Sequence, residues 1–132
     1  MPLPLFLRAL AVLALIVVAE VVNGTVRALV VAPLVGDFTA RQIGVLTGSV
    51  LIGAVAWACR PWLAARTLGA QWRVGALWVV LMLAFEVAVG RWLAGASWQR
   101  IASDYNLAQG GLLGLGMVWL GCAPWLAARL RP

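Results

Sequence analysis

Four long apolar runs constrain the fold of this chain more than any other feature. They cover residues 9–31, 43–58, 74–94 and 107–123, and arginine or proline residues stand at most of their ends. The hydrocarbon core of a bilayer is about 30 Å thick, and an α-helix needs about 20 apolar residues to cross it. The runs therefore predict four transmembrane helices, of which the second and the fourth are short.

The composition points to the same class of protein. Of the 132 residues, 64% are hydrophobic and 11% are charged, whereas soluble domains are about 45–50% apolar and about 25% charged. A soluble domain of this size cannot bury so much apolar surface. We therefore expect an all-α integral membrane protein in which residues 1–132 form a single membrane domain.

The arginines are unevenly distributed between the two sides of the predicted membrane. Six of the ten lie on the side of the N-terminus, the connection of residues 60–73 and the C-terminus. Because positive residues favour the cytoplasmic side, both termini are predicted to be cytoplasmic in a bacterial-type inner (plasma) membrane. The first run is longer than the apolar core of a signal peptide, which is about 7–15 residues, so we expect a retained helix.

Parts of the sequence occur twice. The segment CRPWLAAR at residues 59–66 returns as CAPWLAAR at residues 122–129, with one difference in eight positions. Further upstream, EVVNG at residues 20–24 is matched by EVAVG at residues 86–90. Because the matches keep the same order in both halves, they favour duplication over a chance use of one convenient membrane-exit motif.

The repetition predicts a tandem repeat of two helical hairpins, one of about residues 9–66 and one of about residues 74–129. Each hairpin contains two spans, so the copies are expected to be parallel and related by a pseudo-two-fold axis along the membrane normal. The four acidic residues of the chain then form two equivalent pairs: Glu20 with Glu86, and Asp37 with Asp104.

Two of these acids, Glu20 and Glu86, fall near the middle of the first and third predicted helices. An ionised carboxylate at that depth costs at least about 2.5–3.5 kcal/mol, and such residues are functional candidates. Arg27 follows Glu20 by seven residues and Arg91 follows Glu86 by five, while Asn23 lies one turn from Glu20. We expect these five residues to form an intramembrane polar site for a proton, a small ion or a lipid headgroup. The alternative is a structural clasp of two Glu–Arg pairs between the helices.

The predicted outer connections carry a second set of polar residues. Asp37 and Asp104 precede the second and fourth spans, where an aspartate can cap a helix and interact favourably with its dipole. Gln42 and Gln109 are expected to enter the outer ends of the same helices. These four residues are therefore candidates for the mouth of the site, with helix capping as the alternative for the two aspartates.

Glycines recur at helical spacing in the second and fourth spans. Gly44 and Gly48 form one G-x-x-x-G motif, followed by Gly53, and Gly110 and Gly114 form another. Small residues at this spacing let helix backbones approach closely in lipid. We expect these glycines to mediate a close helix contact, either between the two spans or between copies of the chain.

The remaining chemistry is sparse. The chain has no histidine and no lysine, and it has no recognisable nucleophile–base pair, so we expect neither an enzyme nor a cofactor. Cys59 and Cys122 are interpreted as small buried residues, because no further Cys or Met supports a metal site. No basic polar stretch is suited to nucleic acid.

These observations favour a small carrier or channel-like protein with a symmetric intramembrane Glu/Arg site. The alternative is a non-catalytic accessory or assembly subunit of a larger membrane complex, which the apolar surface and the glycines would also suit. The expected partners are membrane lipids, together with a second copy of the chain or a larger complex.

Overall fold

The computed structural model describes residues 1–131, whose regular secondary structure is entirely helical and includes no strand. Four helical segments are long and apolar enough to cross a membrane. We call them the first to fourth spans: Leu3–Val35, Asp37–Leu63, Leu68–Leu93 and Leu113–Leu130. A fifth helix, Trp98–Tyr105, lies between the third and fourth spans and is called the connecting helix. The prediction of an all-helical chain with four long apolar segments is confirmed.

The first and third spans are not regular along their whole length. The first is α-helical over Leu3–Val26 and Ala32–Val35, with a π-helical stretch, Arg27–Val31, between these two parts. The third is α-helical over Leu68–Ala88 and ends in the π-helical stretch Val89–Leu93. In each stretch a backbone N–H bonds to a carbonyl five residues earlier, as in Ala32 to Arg27.

The outer connections of the two halves differ. We call the end of the bundle that holds Gly36 and the connecting helix the outer end, after the predicted orientation. Gly36 alone separates the first two spans, and its φ of +90° is one that favours glycine. The equivalent connection in the second half includes the connecting helix and a 3₁₀ turn, Leu107–Gln109.

The fourth span begins six residues later than predicted, because residues 107–112 lie outside it. The Asn106 side chain accepts the Ala108 N–H at 3.1 Å, and Gly110 has a φ of +85°, so the chain turns here. Helix resumes only at Leu113. The expectation of helix from residue 107 is therefore wrong, and polar turn residues are the reason.

The second and fourth spans lie side by side, with the first span against the second and the third against the fourth. The first and third spans also touch, where the fully buried Trp78 donates its indole N–H to the Ala9 carbonyl at 2.9 Å. The backbones of the third and fourth spans approach each other closely at Gly75. A Cβ atom added to Gly75 would lie 2.0 Å from the Gly121 carbonyl oxygen, so that crossing needs a glycine.

The repeated PWLAAR segment adopts two conformations. In the first copy the helix ends at Leu63, and Ala64 takes the left-handed conformation with a φ of +55°. The chain then reverses, and the buried Gln71 donates to the Ala65 carbonyl at 3.0 Å. In the second copy the equivalent Ala127 lies inside the helix and is 5% exposed. The following chain, rather than the hexapeptide, determines where the helix ends.

This difference predicts opposite effects for the same substitution. Left-handed backbone costs a non-glycine residue about 1–2 kcal/mol, whereas glycine inside a helix costs about 1 kcal/mol relative to alanine. We expect Ala64→Gly to raise the free energy of unfolding slightly and Ala127→Gly to lower it by about 1 kcal/mol. Denaturant unfolding in detergent, followed by circular dichroism, measures both. Equal effects of the two substitutions would contradict the assignment of Ala64 as the helix terminus.

Candidate functional site

A polar cavity of about 170 Å³ lies between the four spans near the outer end of the bundle. Each span contributes to it, and the connecting helix and the turn after it cover it from outside. Its charged and amide side chains are those of Glu20, Asn23, Arg27, Arg41, Gln42, Glu86 and Asp104. The cavity therefore combines three carboxyl groups with two guanidinium groups.

Glycines in the second span provide the space for the charged side chains of the first. A Cβ atom on Gly48 would lie 2.6 Å from Glu20 Oε2, and one on Gly44 would lie 2.9 Å from Arg27 Cδ. Glu20 and Arg27 are seven residues apart, which places them on one face of the helix two turns apart. The two glycines are spaced by one turn and follow that face.

Glu20 and Glu86 stand where the polar cavity meets a second, inner cavity of about 40 Å³, which they also line. The side chains around the inner cavity are mostly apolar and include Ile52, Met82 and Leu120. Glu20 Oε1 is buried, and the described residues offer it no hydrogen-bond partner. The two carboxyl groups therefore face a polar space on one side and apolar side chains on the other.

Amide side chains tie the walls of the cavity together. Asn23 donates to the Gly44 carbonyl at 3.0 Å and accepts the Thr47 hydroxyl at 2.9 Å, which joins the first and second spans. Gln42 donates to the Gly110 carbonyl at 2.8 Å, which joins the second span to the turn before the fourth. Because these donors are engaged, the amides hold the walls in place.

A chain of ion pairs closes the outer side of the cavity. Arg41 contacts Asp37 at 3.1 Å and also pairs with Asp104 on the connecting helix. Arg100, on the same helix, contacts Asp37 at 3.3 Å. The Arg41 side chain is 17% exposed, whereas that of Asp37 is 58% exposed. The inner part of this network is shielded from solvent and fastens the connecting helix to the second span.

Of the predicted intramembrane site, the structure brings together Glu20, Asn23, Arg27 and Glu86 but not Arg91. Arg91 donates to the Ala96 carbonyl at 3.4 Å, and its guanidinium lies 5.1 Å from the centre of the Trp98 ring. Arg91 lies in the π-helical stretch Val89–Leu93, beyond the α-helical part that carries Glu86, and its side chain does not line the cavity. Within residues 1–131, neither glutamate comes within 4.0 Å of an arginine nitrogen. The two expected Glu–Arg pairs are therefore not formed.

Of the four residues predicted at the mouth of the site, two line the cavity and two do not. Gln42 and Asp104 line the cavity, Asp37 lies on its rim in the ion-pair network, and Gln109 is exposed outside it. Neither aspartate caps its span. Asp37 is the first residue of the second span, where Gly36 is the cap, and Asp104 lies within the connecting helix.

The glycine motifs have different partners from those expected. Gly44 and Gly48 face the first span, whereas Gly110 lies in the turn and Gly114 has only the Tyr105 carbonyl nearby, at 3.8 Å. The second and fourth spans do meet, through Gly53 against the Trp119 ring. The Trp119 indole also donates to the Ser49 carbonyl at 2.8 Å.

Sequence reasoning missed Arg41 and Tyr105. The sequence indicates Arg41 only as one of the arginines at the ends of the apolar runs, although its position four residues after Asp37 is a recognisable ion-pair spacing. No local signal indicated that it would also reach Asp104, which is 63 residues away.

Cys59 and Cys122 are half-buried free thiols away from the cavity, and residues 1–131 contain no cluster of three potential metal-binding acids, histidines or cysteines.

Tyr105, at the end of the connecting helix, has a buried hydroxyl for which the described residues provide no hydrogen-bond partner. Burial raises the pKa of this phenol from 10.0 to about 12, and the nearby carboxylates of Glu86 and Asp104 add to the effect. The folded chain therefore favours the protonated, neutral form of the Tyr105 phenol.

The raised pKa predicts a loss of stability at high pH. Below pH 10 the phenol is neutral in both the folded and the unfolded chain, whereas between pH 10 and 12 only the unfolded chain ionises it. The free energy of unfolding should therefore fall as the pH rises through this range. Tyr105 is the single tyrosine of the chain, so absorbance of the phenolate reports on it directly. We expect a midpoint near 12 in the folded protein, and a midpoint near 10 in both states would contradict the burial.

Comparisons of the chain with protein-family models, with curated proteins and with solved structures found no match. The chemistry of the cavity therefore rests on its own geometry. A small cavity with two carboxyl groups and one guanidinium that has no ion-pair partner in the described chain can hold a proton or a small cation.

Proposed function

We propose that this chain is a multipass protein of a bacterial-type inner membrane in which Glu20 and Glu86 bind a proton or a small monovalent cation for transport. In this proposal both termini are cytoplasmic, and the chain descends from a duplicated helical hairpin. The single observation that carries the function is that two carboxyl groups from different spans line one polar cavity, and within residues 1–131 no arginine forms an ion pair with either of them.

The energetics of a carboxylate in a membrane support this proposal. An ionised carboxylate among apolar helices costs at least about 2.5–3.5 kcal/mol. Binding a proton or a cation offsets this cost, and the unpaired Glu20 oxygen offers a place for it. Acidic residues in such positions mark ion pathways and proton relays in membrane proteins.

The size of the cavity favours a small ligand. Its volume of about 170 Å³ is below the range of about 300–1,000 Å³ that is typical of pockets for organic ligands. A lipid headgroup with its glycerol backbone is therefore a poor fit. The cavity has the right size for a proton, with or without a few water molecules, or for a dehydrated monovalent cation.

The surroundings of the cavity support a carrier more than an open pore. The Arg41–Asp104 ion pair covers the outer side. Towards the inner end, Met117 and Leu120 line the small apolar cavity, and the buried Trp78 lies in the core of the bundle. A carboxyl pair with an ion pair on its outer side and apolar side chains on its inner side fits alternating exposure to the two sides of the membrane.

The proposal predicts that proton flux requires both glutamates. The protein is reconstituted into liposomes that enclose a pH-sensitive dye, and an imposed potassium diffusion potential drives proton entry. We expect wild-type protein to acidify the interior faster than empty liposomes do. Glu20→Gln and Glu86→Gln should each reduce the rate to the level of empty liposomes, because an amide cannot release a proton.

Arg91→Gln is the matched control, because Arg91 lies outside the cavity and its variant should retain wild-type flux. Flux that persists in both glutamate variants would contradict the proposed site. If wild-type protein produces no flux and its native mass in nanodiscs corresponds to a larger stoichiometric assembly, the accessory-subunit alternative replaces the carrier.

A further inference from the structure

The charges on the outer side of the cavity balance one another. Asp37 and Asp104 supply two carboxylates, and Arg41 and Arg100 supply two guanidinium groups. Because the two negative and two positive charges are equal in number, the network has no net charge. It therefore cannot neutralise the charges of the groups deeper in the cavity.

The deeper charges do not balance. Apart from the Arg41 and Asp104 side chains of that network, Glu20 and Glu86 share the cavity with one guanidinium, that of Arg27. When both carboxyl groups are ionised, this inner group carries one net negative charge. The fourth span contributes no charged side chain to the cavity, and the remaining titratable neighbour is the neutral Tyr105 on the connecting helix.

The imbalance results from the different placement of two arginines. Arg27 is held inside the cavity, where its side chain crosses the second span at Gly44. Arg91 follows Glu86 in the sequence but is engaged with the Ala96 carbonyl and the Trp98 ring. The cavity therefore contains two glutamates and, apart from the outer network, one arginine, whereas the sequence predicted two arginines beside the glutamates.

We propose that Arg27 sets the charge of the ligand, so that the glutamate pair takes up one positive charge and discriminates against divalent cations. This inference rests on the proposed function of the pair as a binding site for positive charge. In a low-dielectric cavity uncompensated charge is costly, so occupancy follows electroneutrality. One guanidinium and one proton together neutralise two carboxylates. Without the guanidinium, two protons are needed.

Glu20 and Glu86 are the two glutamates of the chain, which allows a direct count of the protons on them. The protein is made by cell-free synthesis with glutamate carrying ¹³C in its side-chain carboxyl group and is placed in nanodiscs at pH 7. The salt is N-methylglucamine chloride, so the proton is the small cation present. The infrared carbonyl band of the protonated acid, scaled to the total label, then gives the number of protons held by the pair.

We expect the protonated-glutamate signal to rise about twofold in Arg27→Gln. The signal should stay at the wild-type level in Arg27→Lys, which keeps the charge, and in Arg91→Gln, which removes an arginine outside the cavity. A signal in Arg27→Gln that equals wild type would overturn the inference, as would an equal rise in Arg91→Gln.

Circular dichroism establishes whether Arg27→Gln folds. If it does not fold, Gly44→Ala replaces it, because its Cβ would lie 2.9 Å from Arg27 Cδ and displace the side chain. The signal should then rise above wild type, and an unchanged signal counts against the inference. Because the proton count needs no transport, loss of flux with the expected count would refute the carrier alone.

Discussion

The absence of side chains at Gly44 and Gly48 is the condition on which the rest of the polar site depends. Charged side chains that extend from an apolar helix need a neighbouring helix with open space at the same height. Gly48 provides this space for the Glu20 carboxyl group, and Gly44 provides it for the Arg27 side chain. With larger residues at these positions, both charged groups would have to leave the bundle interior or force the first and second spans apart.

The packing around the site follows from this arrangement. The first span packs against the second through these glycines, while the third and fourth spans meet at Gly75 and Gly121. The two pairs are joined by Trp119 and by the contacts of the fully buried Trp78. The apolar core thus holds the inner half of the bundle together, and hydrogen bonds and ion pairs hold the outer half.

Much of the fold could be predicted because the apolar runs are long and the helix period is regular. The same period correctly placed Glu20 and Arg27 on one face. That period does not extend to Arg91, because Arg91 lies within the π-helical stretch Val89–Leu93. The two conformations of PWLAAR could not be predicted from the hexapeptide, because they depend on the chain that follows each copy. The position of the connecting helix could not be predicted, because it depends on contacts with residues distant in sequence.

The network of Asp37, Arg41, Asp104 and Arg100 could not be predicted for a related reason. Local spacing indicates only the contact between Asp37 and Arg41, whereas the other two contacts join residues 63 apart. Such contacts depend on how the connecting helix folds back over the second span. The sequence contains the charges, but their pairing is a property of the tertiary structure.

The π-helical stretches Arg27–Val31 and Val89–Leu93 have a consequence for the phase of the helices that contain them. A π-helical ring contains one residue more than an α-helical ring, so side chains beyond the stretch are rotated from their α-helical positions. A helical wheel drawn through the whole first span therefore assigns its outer end to the wrong face. Loss of one residue within the stretch would restore a continuous α-helix and leave the phase of Leu3–Val26 unchanged, whereas a deletion between Leu3 and Glu20 would rotate Glu20 relative to the residues before it. The outer end of the span is thus the part in which a change of one residue in length leaves the Glu20 carboxyl group against Gly48.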